Sequence, residues 1–145
     1  MIVVVDASLV AGVFLPMPHS EAAAEKLRAW AEAGVETVAP ALLEYEIVNL
    51  LGRTVARGQA SAGEADFGPV LLTHLKIRSM PPTAALHAKA LTWAERLRLP
   101  GTHQAQYLAL AEELRADLWT ADPILAAAAG EAGAAWVKCL VAPCK

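Results

Sequence analysis

MIVVVDASLV, residues 1–10, decides how the rest of the chain is read. Residues 2–5 are an unbroken β-branched run, the pattern of a strand buried on both faces. Asp6 follows at once. An apolar helical stretch then runs from Ala7 to about Leu15, where Pro16 and Pro18 stop it. A strand that hands over to a helix through a single acid is the opening of a parallel α/β unit.

The same alternation continues outward from this unit. Residues 20–33 predict an amphipathic helix with Ser20 as N-cap and Gly34 past its end. Residues 35–40 predict a short strand closed by Pro40. A helix over 41–57 ends at Gly58, and Ser61 starts another to about Leu75, bent near Gly68-Pro69. KIRSM (76–80) reads as a weak strand and 83–98 as a helix broken by Pro100-Gly101. Thr102 caps a helix from His103 to Arg115. LWTA (118–121) is a strand that ends at Asp122, a small alanine-rich helix follows, and AAWVKCLV (134–141) is the last strand. Five short strands alternating with helices predict an α/β fold: a central parallel sheet of about five strands between two helical layers, α/β/α. No repeat, linker or charge block divides the chain, so residues 1–145 read as one domain.

Composition narrows the function classes. Hydrophobic residues make up 56% of the 145, much of the excess alanine, which suits packed helices. No apolar run reaches the roughly 18 residues of a membrane span, and MIVVVD lacks the basic start of a signal peptide. A formal charge of −3 argues against a general polyanion-binding surface but allows a local basic groove. Cys139 and Cys144 have neither zinc-ligand spacing nor histidine companions and read as reduced thiols of a cytoplasmic protein. There is no glycine-rich phosphate loop and no CxxC pair. His19, His74 and His87 stand singly, and Trp30, Trp93, Trp119 and Trp136 fall in core or interface patterns.

Three acids stand in apolar surroundings: Asp6, Glu46 and Asp122. An unpaired buried carboxylate is expensive, so each needs a partner. For Asp6 and Asp122 one reading is a helix N-cap, with Pro123 at the first helical position after Asp122. The other is a shared divalent cation, which takes hard oxygen ligands. Both acids follow strands, and ligands of parallel sheets bind outside the carboxyl ends of strands. Glu46 lies one turn from Leu42, Leu43 and Leu50 and needs either an ion pair, with Arg53 or another arginine, or the same cation.

VVVDASLV, APALLEYEIVNLL, YLALAEEL and LWTADPILAAAA, in this order and spacing, resemble the PIN-domain family, and within it the VapC-type toxins of prokaryotic toxin–antitoxin pairs. The resemblance covers essentially the whole chain. It implies an endoribonuclease that hydrolyses RNA phosphodiester bonds with Mg²⁺ or Mn²⁺. Asp6, Glu46 and Asp122 match the family's catalytic and metal-holding acids. Ser8, Asn49 and Thr120 match supporting polar residues. Gln104 stands where the family carries an Asp near the start of its helix. An amide oxygen can ligate Mg²⁺ but brings no charge and cannot serve as a general base; the adjacent His103 is titratable. Arg53 and Arg57 are candidates for RNA phosphates, beside Lys76, Arg78, Arg96 and Arg98. The family also implies an antitoxin partner and a homodimer, the latter supported by the apolar 41–51 helix and the alanine-rich helices. Two other readings stand beside this one. The first is a PIN-like module, weakened or inactive through Gln104, that binds RNA or a protein. The second is a small doubly wound domain that binds a small ligand.

Overall fold

The computed structural model describes residues 1–141. Cys144, read above as a reduced thiol, lies outside the described residues. Five strands form one sheet: β1 (Ile2–Val5), β2 (Glu36–Pro40), β3 (Arg78–Met80), β4 (Asp117–Thr120) and β5 (Val137–Cys139). The spatial order is β3-β2-β1-β4-β5 and every neighbouring pair is parallel. Val3, Val4 and Val5 are all buried. Successive strand residues point to opposite faces, so burial of all three means that both faces of β1 are covered. The architecture is therefore three-layer α/β/α, as the pattern of the chain predicts.

Seven helices are found among the described residues: α1 (Ala7–Phe14), α2 (Ser20–Ala33), α3 (Leu42–Ala56), α4 (Ala62–His74), α5 (Ala84–Arg96), α6 (His103–Leu114) and α7 (Pro123–Glu131). The central helix is α6. It lies against β1, β2 and β4 and carries α5 on its outer side. Its run Tyr107–Ala111 is buried at every position, which explains why its sequence shows no clean amphipathic stripe. Helices α1, α2 and α3 pack as a second group around α1.

Several local details depart from the pattern. Ser20 is the first residue of α2, not its cap; its hydroxyl accepts from Met17 N–H and donates to the Leu15 carbonyl, tying the turn at Pro16. Thr102 occupies the N-cap of α6 without a side-chain cap bond. The strands expected over 76–80 and 134–141 shorten to three residues each, since each is an edge strand with only one neighbour to pair with. Helix α4 contains Pro69 and continues past it.

Gly68 in α4 marks the closest approach of α4 to α3. A Cβ built there meets Leu51 Cδ1 at 2.1 Å. Gly68→Ala should force Leu51 from its rotamer, an overpacking cost of about 1–3 kcal/mol that exceeds the ~1 kcal/mol gained in helix propensity. A lower urea midpoint with an unchanged slope is the expected result; an unchanged or higher midpoint would show that the α3–α4 contact yields freely.

Candidate functional site

The order β3-β2-β1-β4-β5 places the topological switch between β1 and β4. From β1 the chain proceeds to β2 on one side, and from β4 it proceeds to β5 on the other. The connections leave a crevice at the carboxyl ends, where a doubly wound sheet takes its ligand. Asp6 and Asp122 both sit there, one residue past β1 and two past β4.

Each of these acids caps a helix and also stands at the carboxyl edge of the sheet, so the two sequence readings are not exclusive. Asp6 Oδ1 accepts from Leu9 N–H at 3.0 Å and from the Ser8 hydroxyl at 2.7 Å. The Thr120 hydroxyl adds a further donor to the carboxylate, and no side-chain oxygen or nitrogen among the described residues is both sealed and unpartnered. Asp122 Oδ1 caps α7, accepting from Ile124 and Leu125 N–H at 2.9 and 3.2 Å. Its Oδ2 accepts from the Gln104 amide at 3.1 Å.

Ser8 and Thr120 knit the two strand ends together. Ser8 Oγ accepts from Ala121 N–H at 2.9 Å and lies 3.1 Å from the Thr120 hydroxyl. Thr120 is fully buried, and its Oγ1 accepts from Asp122 N–H at 3.0 Å. His19 Nε2 contacts the Ser8 carbonyl at 2.9 Å, holding the start of α1 from below.

Glu46 reaches the neighbourhood from α3. Its partner is not an arginine. Tyr107, buried on α6, donates its hydroxyl to Glu46 Oε1 at 2.6 Å, and His103 Nδ1 lies 3.7 Å from Oε2. Asn49 and Arg53 follow Glu46 at three and seven residues, on one face of α3. They line the same crevice as Ser8, Glu46 and His103. Arg57 is exposed one turn beyond Arg53. Of the other candidate cations, Arg78 pairs with Glu36 at 2.8 Å and Arg96 lies over the Trp93 ring, so both are engaged elsewhere.

The electrostatics follow from this placement. Burial pushes the Asp6 carboxyl up from 3.8 to about 6, opposed by donors from Thr120, Leu9 and Ser8 and reinforced by the charge of Asp122. The Tyr107 hydroxyl is also raised, first by burial, then by the charge and hydrogen bond of Glu46 and the charge of Asp6. These couplings run from Glu46 through Tyr107 to Asp6 and on to Asp122. Among the described residues, no lysine or arginine pairs with any of the three acids. The donor set is one of hard oxygens carrying uncompensated negative charge, which suits Mg²⁺ or Mn²⁺. As the side chains stand, no three His, Cys, Asp or Glu groups among the described residues are grouped to hold one metal ion. Gln104 engages Asp122 and Tyr107 engages Glu46.

Sequence reasoning missed Tyr107. Only its identity, a tyrosine inside a fully apolar helical run, hinted that a buried hydroxyl would need a polar partner.

The sequence matches no protein-family model and no curated protein. Solved structures do match. VapC20 of Mycobacterium tuberculosis, a sarcin–ricin loop cleaving toxin, superposes with a TM-score of 0.66 over 86% of this chain and 94% of its own, at 19% identity. The chain has the PIN-domain fold of the VapC toxins. VapBC2 of Rickettsia felis, solved bound to a DNA fragment of its promoter, shares that PIN fold with a TM-score of 0.62 at 13% identity, covering 84% of this chain and 88% of the other. The switch-point crevice with Asp6 and Asp122 is thus a feature of a PIN fold here.

Proposed function

We propose that this chain is a divalent-metal-dependent endoribonuclease of a toxin–antitoxin pair, a single PIN-like domain over residues 1–145 working in the cytoplasm. The observation that carries the reading is the Asp6 carboxylate. It is 5% exposed, unpaired by any described lysine or arginine, and stands beside the charge of Asp122 at the carboxyl ends of β1 and β4. The PIN fold shared with a sarcin–ricin loop cleaving toxin supports RNA as the substrate. No helix among the described residues is long and apolar enough to cross a membrane.

In this reading Asp6 and Asp122 hold Mg²⁺ or Mn²⁺, and Glu46 stands close by on Tyr107. When bound, such an ion supplies an activated water and charge neutralisation at the phosphoryl group. The residues of the chain do the rest. Ser8 and Thr120 fix the distance between the two strand ends. The Asp6 cap orients Oδ1. Arg53 faces the crevice without a carboxylate partner among the described residues and receives the RNA phosphate, with Arg57 one turn away. Asn49 stands between Glu46 and Arg53 on the same face, as a neutral donor to substrate. Exposed Val48, Phe67, Val70, Leu91 and Ile124 support association, with a second copy or with an antitoxin segment. Sedimentation as a monomer at tens of micromolar would remove the homodimer, since weak contacts with Kd near that value dissociate there.

One contact favours a second reading, a PIN-fold module that binds RNA or a protein with little or no catalysis. The Gln104 amide donates to Asp122 Oδ2, occupying an oxygen the metal needs and adding no charge. Gln104→Asp separates the two. A carboxylate there cannot donate to Asp122 and restores a charged ligand, so Mn²⁺ binding measured by calorimetry should tighten about tenfold, the scale of changes around a metal site. Cleavage of a mixed RNA should rise with it. No gain in either assay with the fold intact would make the binding module the better reading.

A further inference from the structure

A second cavity of about 460 Å³ opens beside the carboxylate crevice, between the carboxyl ends of β2 and β3 and the amino ends of α3 and α6. Leu42, Tyr45 and His103 line both spaces, so the two are continuous. We propose that this cavity receives one unpaired base of the RNA strand whose backbone crosses the carboxylate crevice. The proposal rests on the ribonuclease reading and names the part of the substrate that its neighbouring cavity takes.

Five observations point to a base. The cavity has the size of a small-molecule pocket, roughly 300–1,000 Å³. Among the described residues no lysine, arginine, aspartate or glutamate lines it, so its occupant is neutral. A phosphate belongs instead beside Arg53 in the adjoining crevice. Its walls include Pro40, Pro81, Pro82 and Met80, apolar and largely rigid, so little order is lost when a flat ring enters.

The remaining two observations concern how a base would be held and read. Tyr45 is 74% exposed at the junction of the two spaces. An aromatic ring left outside the core at that place is a stacking platform for a single strand. On the exposed part of the wall, the Gln106 amide donates to His87 Nδ1 at 3.0 Å. With the amide nitrogen as donor, a neutral His87 carries its proton on Nε2. The pair then offers one N–H donor, His87 Nε2, and one acceptor, Gln106 Oε1. Adjacent donor and acceptor groups are what the Watson–Crick edge of an unpaired base matches, and a purely apolar ligand would leave both unused.

The test uses fluorescein-labelled RNA hexamers of each single base, with affinity read by anisotropy in the absence of added metal, so that binding is scored without cleavage. Wild type should prefer one base. Tyr45→Ala should weaken every hexamer about tenfold, on the scale of one lost base–aromatic stack, and Tyr45→Phe should restore it. Gln106→Leu and His87→Leu should erase the preference among bases and leave affinity for the least favoured hexamer unchanged. Thermal melts report the fold of each variant. Binding that all four substitutions leave unchanged, or no binding at all, overturns the base pocket. So does a dimer that Tyr45→Ala dissociates while hexamer affinity stays constant, which would assign Tyr45 to a chain–chain contact. Binding that depends on the pocket, in a protein that never cleaves RNA under Mn²⁺, supports the pocket and removes the ribonuclease reading. Cleavage with no base preference in wild type or variants does the reverse.

Discussion

Asp6→Asn should abolish RNA cleavage and at the same time stabilise the protein at neutral pH. The loss of activity follows from charge. Asn keeps an oxygen for the Leu9 and Ser8 donors but brings no negative charge to a cation. Groups that merely orient metal ligands are worth 10–100-fold, so loss of a ligand's own charge should lower cleavage at least ~100-fold. The gain in stability follows from burial. The folded state holds the Asp6 proton up to about pH 6, against 3.8 for an ordinary Asp. Between those values the native state binds more protons than the unfolded chain, so this group's contribution is fully favourable below pH 3.8 and is lost as pH rises through about 6. By pH 7.5 the accumulated penalty is about 3 kcal/mol. Urea unfolding in chelator should show stability falling across that window in wild type and not in Asp6→Asn. Mn²⁺ should flatten the wild-type fall by binding the ionised carboxylate. A variant that is less stable than wild type at pH 7.5, with cleavage intact, would reduce Asp6 to a helix cap.

Leu108→Ala should have the largest effect on stability. Leu108 is fully buried on α6, the helix that lies against β1, β2 and β4. Neighbours on three strands cannot all collapse into the space, so the loss should fall in the range of about 2–5 kcal/mol. The same helix carries Gln104 and Tyr107, each bonded to an acid from elsewhere in the chain. Cleavage measured well below the melting temperature should therefore fall along with stability, as Glu46 and Asp122 lose fixed partners. A loss under 1 kcal/mol would mean that α6 repacks and that the site does not depend on its exact seating.

The two acids at strand ends were legible in the sequence because their cause is local. Ile2–Val5 can only be a strand covered on both faces, and the residue after it must start α1, so Asp6 is fixed at the end of the sheet. The Thr-Ala-Asp-Pro stretch fixes Asp122 in the same way through β4 and α7. Order of elements and fold class followed from that alternation. Edge strands were overlong in the reading because an edge is set by how much neighbour is present, which short sequence windows do not carry.

What the sequence determined by itself was periodicity, caps and breaks, all interactions within a few residues along the chain. What only the tertiary structure decided was partnership. The bond from Tyr107 to Glu46 spans 61 residues, and that from Gln104 to Asp122 spans 18. Arg53 was the local candidate for Glu46, two turns along the same helix, and the buried tyrosine on α6 took its place. A semi-buried carboxylate requires a donor, and the chain states that requirement. Which donor answers it depends on how α3 and α6 are set against the sheet, a matter of packing that no single segment encodes.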